Sequence, residues 1–515
     1  MAIFNRISRR HLLAEASGLF ATAALVGRTG HCLAAESSSA KPQEMDLLNL
    51  SAVDAVNSMV HGELTAERYA SALLARCEAG ASLNAFITLE PQRVLEAARA
   101  CDLKRRSGAA LGLLHGLPIP VKDSINTADF PTTGGTPALR HFRPGEDAPV
   151  VHSLRAAGAI VLGKTNLHEL SYGYTSNNHA YGAVHNPYDP TRNPGGSSGG
   201  TAAAIAYRMA PLGVAEDTEG SIRVPAALCG IAGFRPTTYR YSTKGAVPIT
   251  PLFDQVGPHA RSVADLLLFD SAVAGDTSPT RQTSLKGVRL GVVRSYWFTD
   301  LDPETERITE GALQKLRAAG VELIEGDLPE LAKLVSLTTD QIQNHDVKPA
   351  LTRYLAQYKA GVGFDTVLAS ASPDIRLIIG ATLPGGSSFV SDAQYRAAVD
   401  VHLPALRSLY RDYFARAGVQ AIVFPTTILP APKIGAENTD VEVRGRKMAF
   451  DVAIARNIAP GSTAGLPGLV LPAGLSSDGL PVALEFDGPA GSDRALLQLG
   501  LGLEKVLGPL PGPKP

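Results

Sequence analysis

Along the chain, short apolar runs alternate with stretches whose apolar residues recur at helical spacing. Between Leu50 and Gly80 this spacing predicts two short helices. Ser51 and Thr65 stand where an N-cap oxygen would accept one of the first free N–H groups. From about Gly108 onward the two patterns interleave. Val150 to Ala157 reads as helix, and Ala159-Ile160-Val161-Leu162 is the continuous apolar run expected of a strand buried on both faces. Later, Val288 to Val293 predicts a strand, Pro303 to Ala319 a helix capped by Asp302, and Val321 to Ile324 another strand. Ala421 to Phe424, Gly468 to Leu471 and Val482 to Phe486 are further strand candidates, and Asp493 to Val506 reads as a closing helix. Strands alternating with helices predict an α/β fold around a largely buried sheet. No internal repeat or linker-like break divides residues 46–515, so a single large domain is expected, with the helix-rich stretch 331–410 as its elaboration.

The first 35 residues follow a different pattern. Arg6, Arg9 and Arg10 make a basic start, and Ser8-Arg9-Arg10-His11-Leu12-Leu13 carries the twin arginine of bacterial Tat export signals. A weakly apolar stretch from Ala16 to Gly27 follows, then the small residues of Cys32-Leu33-Ala34-Ala35. That stretch is shorter than the ~20 residues a bilayer span requires. The expectation is a removable signal over 1–35, a linker over 36–45, a periplasmic location and no stable membrane association after cleavage.

Composition narrows the class. In 515 residues, 45% are hydrophobic and 19% charged, which is ample for a large core. Lys+Arg 48 against Asp+Glu 49 gives a net charge of −1, which argues against a nucleic-acid partner. Removal of 1–35 takes four Arg and one Glu and leaves the chain near −4. Four cysteines exclude a disulfide scaffold. Without Cys32, Cys77, Cys101 and Cys229 remain, an odd number that implies at least one free thiol unless one pairs between chains. A Gly-rich globular enzyme is what remains.

Two motif matches fail on their context. Gly158-Ala159-Ile160-Val161-Leu162-Gly163-Lys164-Thr165 fits a phosphate-binding loop, but its four central residues are strand material, and no nucleotide site is expected. Gly195-Gly196-Ser197-Ser198-Gly199 fits a nucleophile elbow, but the nine residues before it contain three prolines, which suit no central strand. Nothing around His259, His345 or His402 marks a base. The only S-x-x-K is Ser38 to Lys41 in the linker, and no H-E-x-x-H or Cys/His cluster suggests a metal.

Three other segments fit together as a site. Leu117-Pro118-Ile119-Pro120-Val121-Lys122-Asp123 presents a lysine after an apolar, Pro-stiffened run. Gly195-Gly196-Ser197-Ser198-Gly199-Gly200 leads into a helix start at Thr201, and Asp217-Thr218-Glu219-Gly220-Ser221-Ile222-Arg223-Val224-Pro225 follows. Paired glycines let backbone N–H groups approach a ligand closely, and a helix N-terminus favours developing negative charge. A serine nucleophile needs a base, and a lysine serves only when burial or nearby positive charge lowers its pKa.

These segments resemble the amidase signature family of Ser–Ser–Lys hydrolases, which carries a V-K-D lysine, then G-G-S-S-G-G, then G-G-S-[IV]-R-x-P. The separations are family-like, 75 residues from Lys122 to Ser197 and 24 from Ser197 to Ser221. Lys164 to Leu170, Ser176-Asn177-Asn178, Asn186 to Asp189, Pro460 to Gly468 and Leu480-Pro481-Val482 are similar too. The likeness is strong over about 110–260, and within the family it is greatest to bacterial indoleacetamide and mandelamide hydrolases. It implies the amidase signature fold, with a central mixed β-sheet flanked by helices on both faces. It also implies hydrolysis of small, arylalkyl primary amides without a cofactor or metal; a homodimer stays open. By position, Ser221 becomes the nucleophile, Ser197 a bridging serine at a cis peptide, and Lys122 the base. The N–H groups of Thr218, Glu219, Gly220 and Ser221 become the oxyanion hole, with Ser198 and Arg223 in support. Lys164 is expected to be structural.

One departure stands out. The family reads G-T-D-T-G-G-S where this chain has Ala215-Glu216-Asp217-Thr218-Glu219-Gly220-Ser221. Glu219 replaces a glycine, a strain of about 1–3 kcal/mol if that position needs positive φ. It either opposes the oxyanion, points outward toward Arg223, or selects cationic substrates; some branches of the family carry aspartate here. The expectation is an active amidase of altered rate or range. The alternatives are an aryl-acylamidase or carbamate/ester hydrolase on the same scaffold, and an amide-binding protein weakened by Glu216 and Glu219.

Overall fold

The computed structural model describes residues 46–514, save position 282 and the side chain at position 438. The expected signal and most of the linker lie outside the described residues. Eleven strands form one sheet: β1 Phe86–Leu89, β2 Pro118–Lys122, β3 Ile160–Thr165, β4 Leu212–Asp217, β5 Ala232–Arg235, β6 Gln255–Ala260, β7 Arg289–Val292, β8 Glu322–Glu325, β9 Ala421–Pro425, β10 Gly468–Leu475 and β11 Pro481–Asp487. Their order across the sheet is β1-β3-β2-β4-β6-β5-β10-β11-β9-β7-β8. The sheet is mixed: β3, β2 and β4 run parallel to one another, as do β9, β7 and β8, with antiparallel pairings between. This is an α/β fold. Two short hairpins, Asn177–Asn178 with Gly182–Ala183 and Val441–Val443 with Arg446–Met448, stand apart from it.

Register shows that helices cover both faces. Gly233 pairs with Val470, and a methyl on Gly233 would meet Ala226 and Ile222, next to the helix Arg223–Leu228. The neighbouring Leu469 points the other way, against Gly500 of the helix Asp493–Leu507 and near Val263 of the helix Val263–Ala274. The stretch 331–417 is helical almost throughout, and Val347, Leu351, Tyr354 and Leu355 of the helix Thr339–Gln357 share a core with Leu139, Leu170 and Val247. That packing brings the elaboration onto the face where the motif residues lie. No helix among the described residues is long and apolar enough to cross a membrane.

The expected N-caps form: Ser51 accepts from Asp54 N, Thr65 from Arg68 N, and Asp302 from Glu304 N. Strands β4, β5 and β6 lie outside the sequence expectation. Their apolar runs are broken by Gly213, Gly233 and Gly257 and end in Glu216, Asp217, Arg235 and Gln255. The glycines clear space: a methyl on Gly213 would meet Thr201 at 2.7 Å, and one on Gly257 would meet Ile222 at 2.9 Å. Close approach of the helices therefore erases the strand signal here. All three described cysteines are free thiols, and Cys229 is buried with its Sγ toward Pro194 O.

Gly200 sits at the tightest of these approaches, where a methyl would press on Ala85 O at 2.6 Å and Asn166 N at 2.7 Å. Backbone on that side cannot swing away. Gly200→Ala is expected to lose about 1–3 kcal/mol in denaturant unfolding. Gly311→Ala, on a helix with open space around the new methyl, is expected to gain about 0.5–1 kcal/mol. Equal midpoints for the two variants would refute the packing account.

Candidate active site

Strand β2 ends at Lys122, whose side chain is fully buried, and Nζ donates to Ser197 Oγ at 2.6 Å. Val121 pairs with Val214, so the C-terminal end of β4 lies alongside and places Glu216 Oε1 3.2 Å from the same nitrogen. Burial drives the Lys122 pKa down from the ordinary lysine value, and the Glu216 carboxylate pulls it back up.

Ser197 follows a cis Gly196–Ser197 peptide. Its loop is pinned by Ser176, whose Oγ donates to Gly195 O at 2.9 Å and accepts from Gly199 N at 2.9 Å. Ser198 Oγ donates to Glu216 O at 3.0 Å, fastening the loop to β4. Gly195, at φ +84°, lies against the Pro225 backbone, and a methyl on it would stand 2.8 Å from Pro225 Cα. No side chain fits between this loop and the residues after Ser221.

The turn carrying Ser221 is held from beneath by Asp217. Its carboxylate accepts from Gly220 N at 2.7 Å, from Ile222 N at 3.1 Å and from Arg223 Nε at 3.0 Å, and lies 3.2 Å from Arg235 Nε. Burial alone would raise the pKa of this carboxyl, but Arg223 and Arg235 outweigh it and hold the group at about 2. Arg223 is itself closed in by Glu485 at 2.5 Å and by Ser462. Gly220 N–H is therefore directed at Asp217 and away from the expected oxyanion hole. Among the described residues, the N–H groups of Thr218, Glu219 and Ser221 have no acceptor and are those left for that role. Thr218 is tied down by its Oγ1, which donates to Asp254 at 2.6 Å.

Ser221 and Thr218 open onto a cavity of about 780 Å³. Tyr172, Tyr174, Ile249, Ile378 and Phe450 give it apolar walls, and Glu219, Asp374 and Asp451 add carboxylates. Lys122 and Ser197 do not line it; Ser171, which does, donates to Glu216 beside Lys122. The hydroxyl of Ser221 has no hydrogen bond to a protein group among the described residues, so the Ser197–Ser221 link of the expected chain is not closed here.

Glu219 departs from the expectation twice. It has ordinary negative φ, and the strained position belongs to Gly220 at φ +109°. Nor does Glu219 reach Arg223: its carboxylate lines the cavity and accepts from Gln343 Nε2 on the helix Thr339–Gln357. Burial raises its pKa to about 8, against the opposing bond from Gln343. Near neutral pH the group carries its proton and no charge.

The two rejected motifs look different in three dimensions. Lys164 lies on β3 and spends its Nζ on Ile125 O, Pro131 O and Thr132 Oγ1, 3.3 Å from Asp123, so it ties the β2 turn to the sheet. His259 donates from Nε2 to Ile222 O at 2.7 Å and is no partner for Ser197. Sequence reasoning missed Ser171, which donates to Glu216, and singled out neither Gln343 nor Asp254. Only fold-level contacts reveal them. No group of side chains suited to a metal occurs among the described residues.

A family model described as Amidase matches residues 68–497. An indoleacetamide hydrolase of Agrobacterium vitis is 40% identical over 84% of this chain and 92% of its own length. A mandelamide hydrolase of Pseudomonas putida is 37% identical over 92% of this chain and 94% of its own. Among solved structures, one described as an amidase superposes with a TM-score of 0.80 at 32% identity, covering 89% of this chain and all of its own. The native peptide amidase of Stenotrophomonas maltophilia gives 0.75 at 28% over 90% of this chain and 98% of its own. The chain belongs to the amidase family. It is an enzyme that hydrolyses amide C–N bonds.

Glu219 gives this activity a testable pH signature. Below about 8 the group is neutral, and above it a carboxylate faces the cavity where negative charge develops in acyl transfer. The rate is therefore expected to fall as pH rises through that value. Glu219→Gln keeps the shape and a hydrogen-bonding group, and should abolish this basic limb in kcat/KM. A limb unchanged in Glu219→Gln would remove the assignment.

Proposed function

We propose that the chain is a serine amidase that cleaves small arylalkyl primary amides to carboxylate and ammonia through an acyl-enzyme on Ser221. The observation that carries this reading is the 2.6 Å contact of buried Lys122 with Ser197, together with a cavity that Ser221 lines. In the reaction, Ser221 Oγ attacks the amide carbon as its proton passes to Ser197 Oγ, and the proton of Ser197 passes to Lys122 Nζ. The carbonyl oxygen gains negative charge opposite the N–H groups of Thr218, Glu219 and Ser221. The proton returns by the same route to the amide nitrogen, the C–N bond breaks, and ammonia leaves. Water then enters, gives its proton to the same relay and releases the carboxylate.

The cavity supports the substrate class. Tyr172, Tyr174 and Phe450 offer aromatic walls, and the indoleacetamide and mandelamide hydrolases among the relatives are named for aromatic amides. The twin-arginine segment supports action in the periplasm. Glu219, neutral near pH 7 and tied to Gln343, does not close the cavity, which favours catalysis over mere amide binding.

Residues 36–515 are expected to release ammonia faster from indole-3-acetamide and mandelamide than from a short aliphatic amide. Ser221→Ala should lose at least ~10⁴-fold in kcat, in line with the loss of a nucleophile from a serine hydrolase. A fluorophosphonate should label Ser221 in the native chain. Full turnover by Ser221→Ala, or a folded protein that the reagent does not label, would overturn the reading.

A further inference from the structure

Glu216 belongs to no step of that reaction, yet its carboxylate is the charged group closest to the lysine. It is almost fully buried, with 8% of its side chain exposed, and Oε1 stands 3.2 Å from Lys122 Nζ. Its position is built from two sides. The β2–β4 pairing sets its backbone, and Ser198 takes both its O, at 3.0 Å, and its N, at 3.4 Å. From across the site Ser171 Oγ donates to Oε1. Leu170 and Ser171 adopt φ +51° and +66°, two consecutive non-glycine residues in the left-handed region, and that turn is what presents the hydroxyl. Ser171 also lines the cavity.

The other groups around the lysine are already occupied. Asp217 is held by Arg223 and Arg235, Asp254 accepts from Thr218, and His259 donates to Ile222 O. Asp123, next in sequence, faces Lys164 and Thr133, and Tyr354 donates to Asn126. Glu216 is thus the one carboxylate in direct contact with the base among the described residues. A lysine that must accept a proton needs a free lone pair directed at its donor. A carboxylate that takes one N–H fixes the rotation of the amine, and its charge favours the ammonium form over the free amine.

We propose that Glu216 is a positioning residue that orients Lys122 and sets the pH above which it becomes available as a base. This rests on Lys122 being the base of the proposed reaction. During acylation the proton leaving Ser221 reaches Nζ by way of Ser197, the lysine becomes ammonium, and Glu216 remains a carboxylate that balances its charge. When the proton goes back to the departing nitrogen, the pair returns to amine and carboxylate. Glu216 neither gains nor loses a proton, so no co-reactant is needed. Two opposing effects follow. The carboxylate makes the ammonium easier to form in the reaction, and it delays the appearance of the free amine as pH rises.

The test is kcat/KM for ammonia release from indole-3-acetamide across pH, in the native chain, Glu216→Gln and Ser171→Ala. Glu216→Gln removes the charge and keeps the shape. Its acid limb is expected to move down by at least one pH unit, with a lower plateau, because a weaker base remains. Ser171→Ala frees the carboxylate from a competing donor and is expected to move the same limb up. The limb set by Glu219 lies on the basic side and should stay in place in both. An acid limb that does not move in either variant overturns the proposal, whatever happens to the plateau. If Glu216→Gln does not fold, Ser171→Ala decides alone: an upward shift supports the proposal and an unmoved limb overturns it. Turnover that survives Ser221→Ala would strike the proposed reaction itself. Turnover that depends on Ser221 but shows an unmoved acid limb would strike only the role of Glu216.

Discussion

The site depends first on a buried carboxylate, Asp217. Three donors and a further cation converge on it: the N–H groups on either side of Ser221, the guanidinium of Arg223, and the charge of Arg235 at 3.2 Å. A carboxylate with no exposed surface is costly to bury, and it stays ionised here because two arginines offset that cost. Arg223 also pairs with Glu485 on β11, an interior strand of the sheet. The turn that presents Ser221 is thereby anchored to strands far from it in sequence. Removing either partner would leave a buried charge uncompensated, so the geometry of the turn that carries Ser221 and the stability of the sheet around β11 rest on the same contacts.

The lysine is governed by the opposite balance. Burial at the end of β2 favours the neutral amine that a base must be, whereas Glu216 favours the ammonium. Lys164, one strand over, shows what a buried lysine does when its surroundings are satisfied: three oxygen acceptors and Asp123 leave its ammonium nothing further to do. Among the described side chains, the polar partners of Lys122 Nζ are Ser197 and Glu216. That economy of polar partners separates Lys122, the proposed base, from Lys164 better than burial does, since both are fully buried.

What could be read from sequence follows from how each feature is encoded. Apolar runs such as Ile160–Leu162, Ala421–Phe424 and Val482–Phe486, the last interrupted by Glu485, signal buried strands locally, and all three lie in strands of the sheet. β4, β5 and β6 carry no such signal, because glycines there admit helices at close range and polar residues at the strand ends turn toward the site. The positions of Lys122, Ser197 and Ser221 were legible because each lies in a dense local motif. Glu216 was visible only as an oddity in one of these motifs. Its contact with Lys122 depends on two strands pairing in parallel, Val121 beside Val214, which no local pattern specifies. Gln343 is further out of reach: it lies 124 residues beyond Glu219, on a helix whose docking is decided by Val347, Leu351 and Tyr354.

That helix bears on how a glutamate can stand beside Ser221, the proposed nucleophile. A carboxylate at position 219 with only solvent around it would ionise at ordinary pH and face the charge that develops on the substrate. In the folded chain, burial raises its pKa, and Gln343 gives the side chain a fixed partner on the far wall. Lys122, Ser197 and Ser221 lie in the signature segments, and burial, against the bond from Gln343 of the helix-rich elaboration, raises the pKa of Glu219 to about 8. A substitution in the elaboration can therefore alter the charge at the catalytic turn without touching it. Residues 331–410 then do more than shape the cavity: Gln343, by donating to Glu219, pulls its pKa down against burial and so shares in setting the charge beside Ser221.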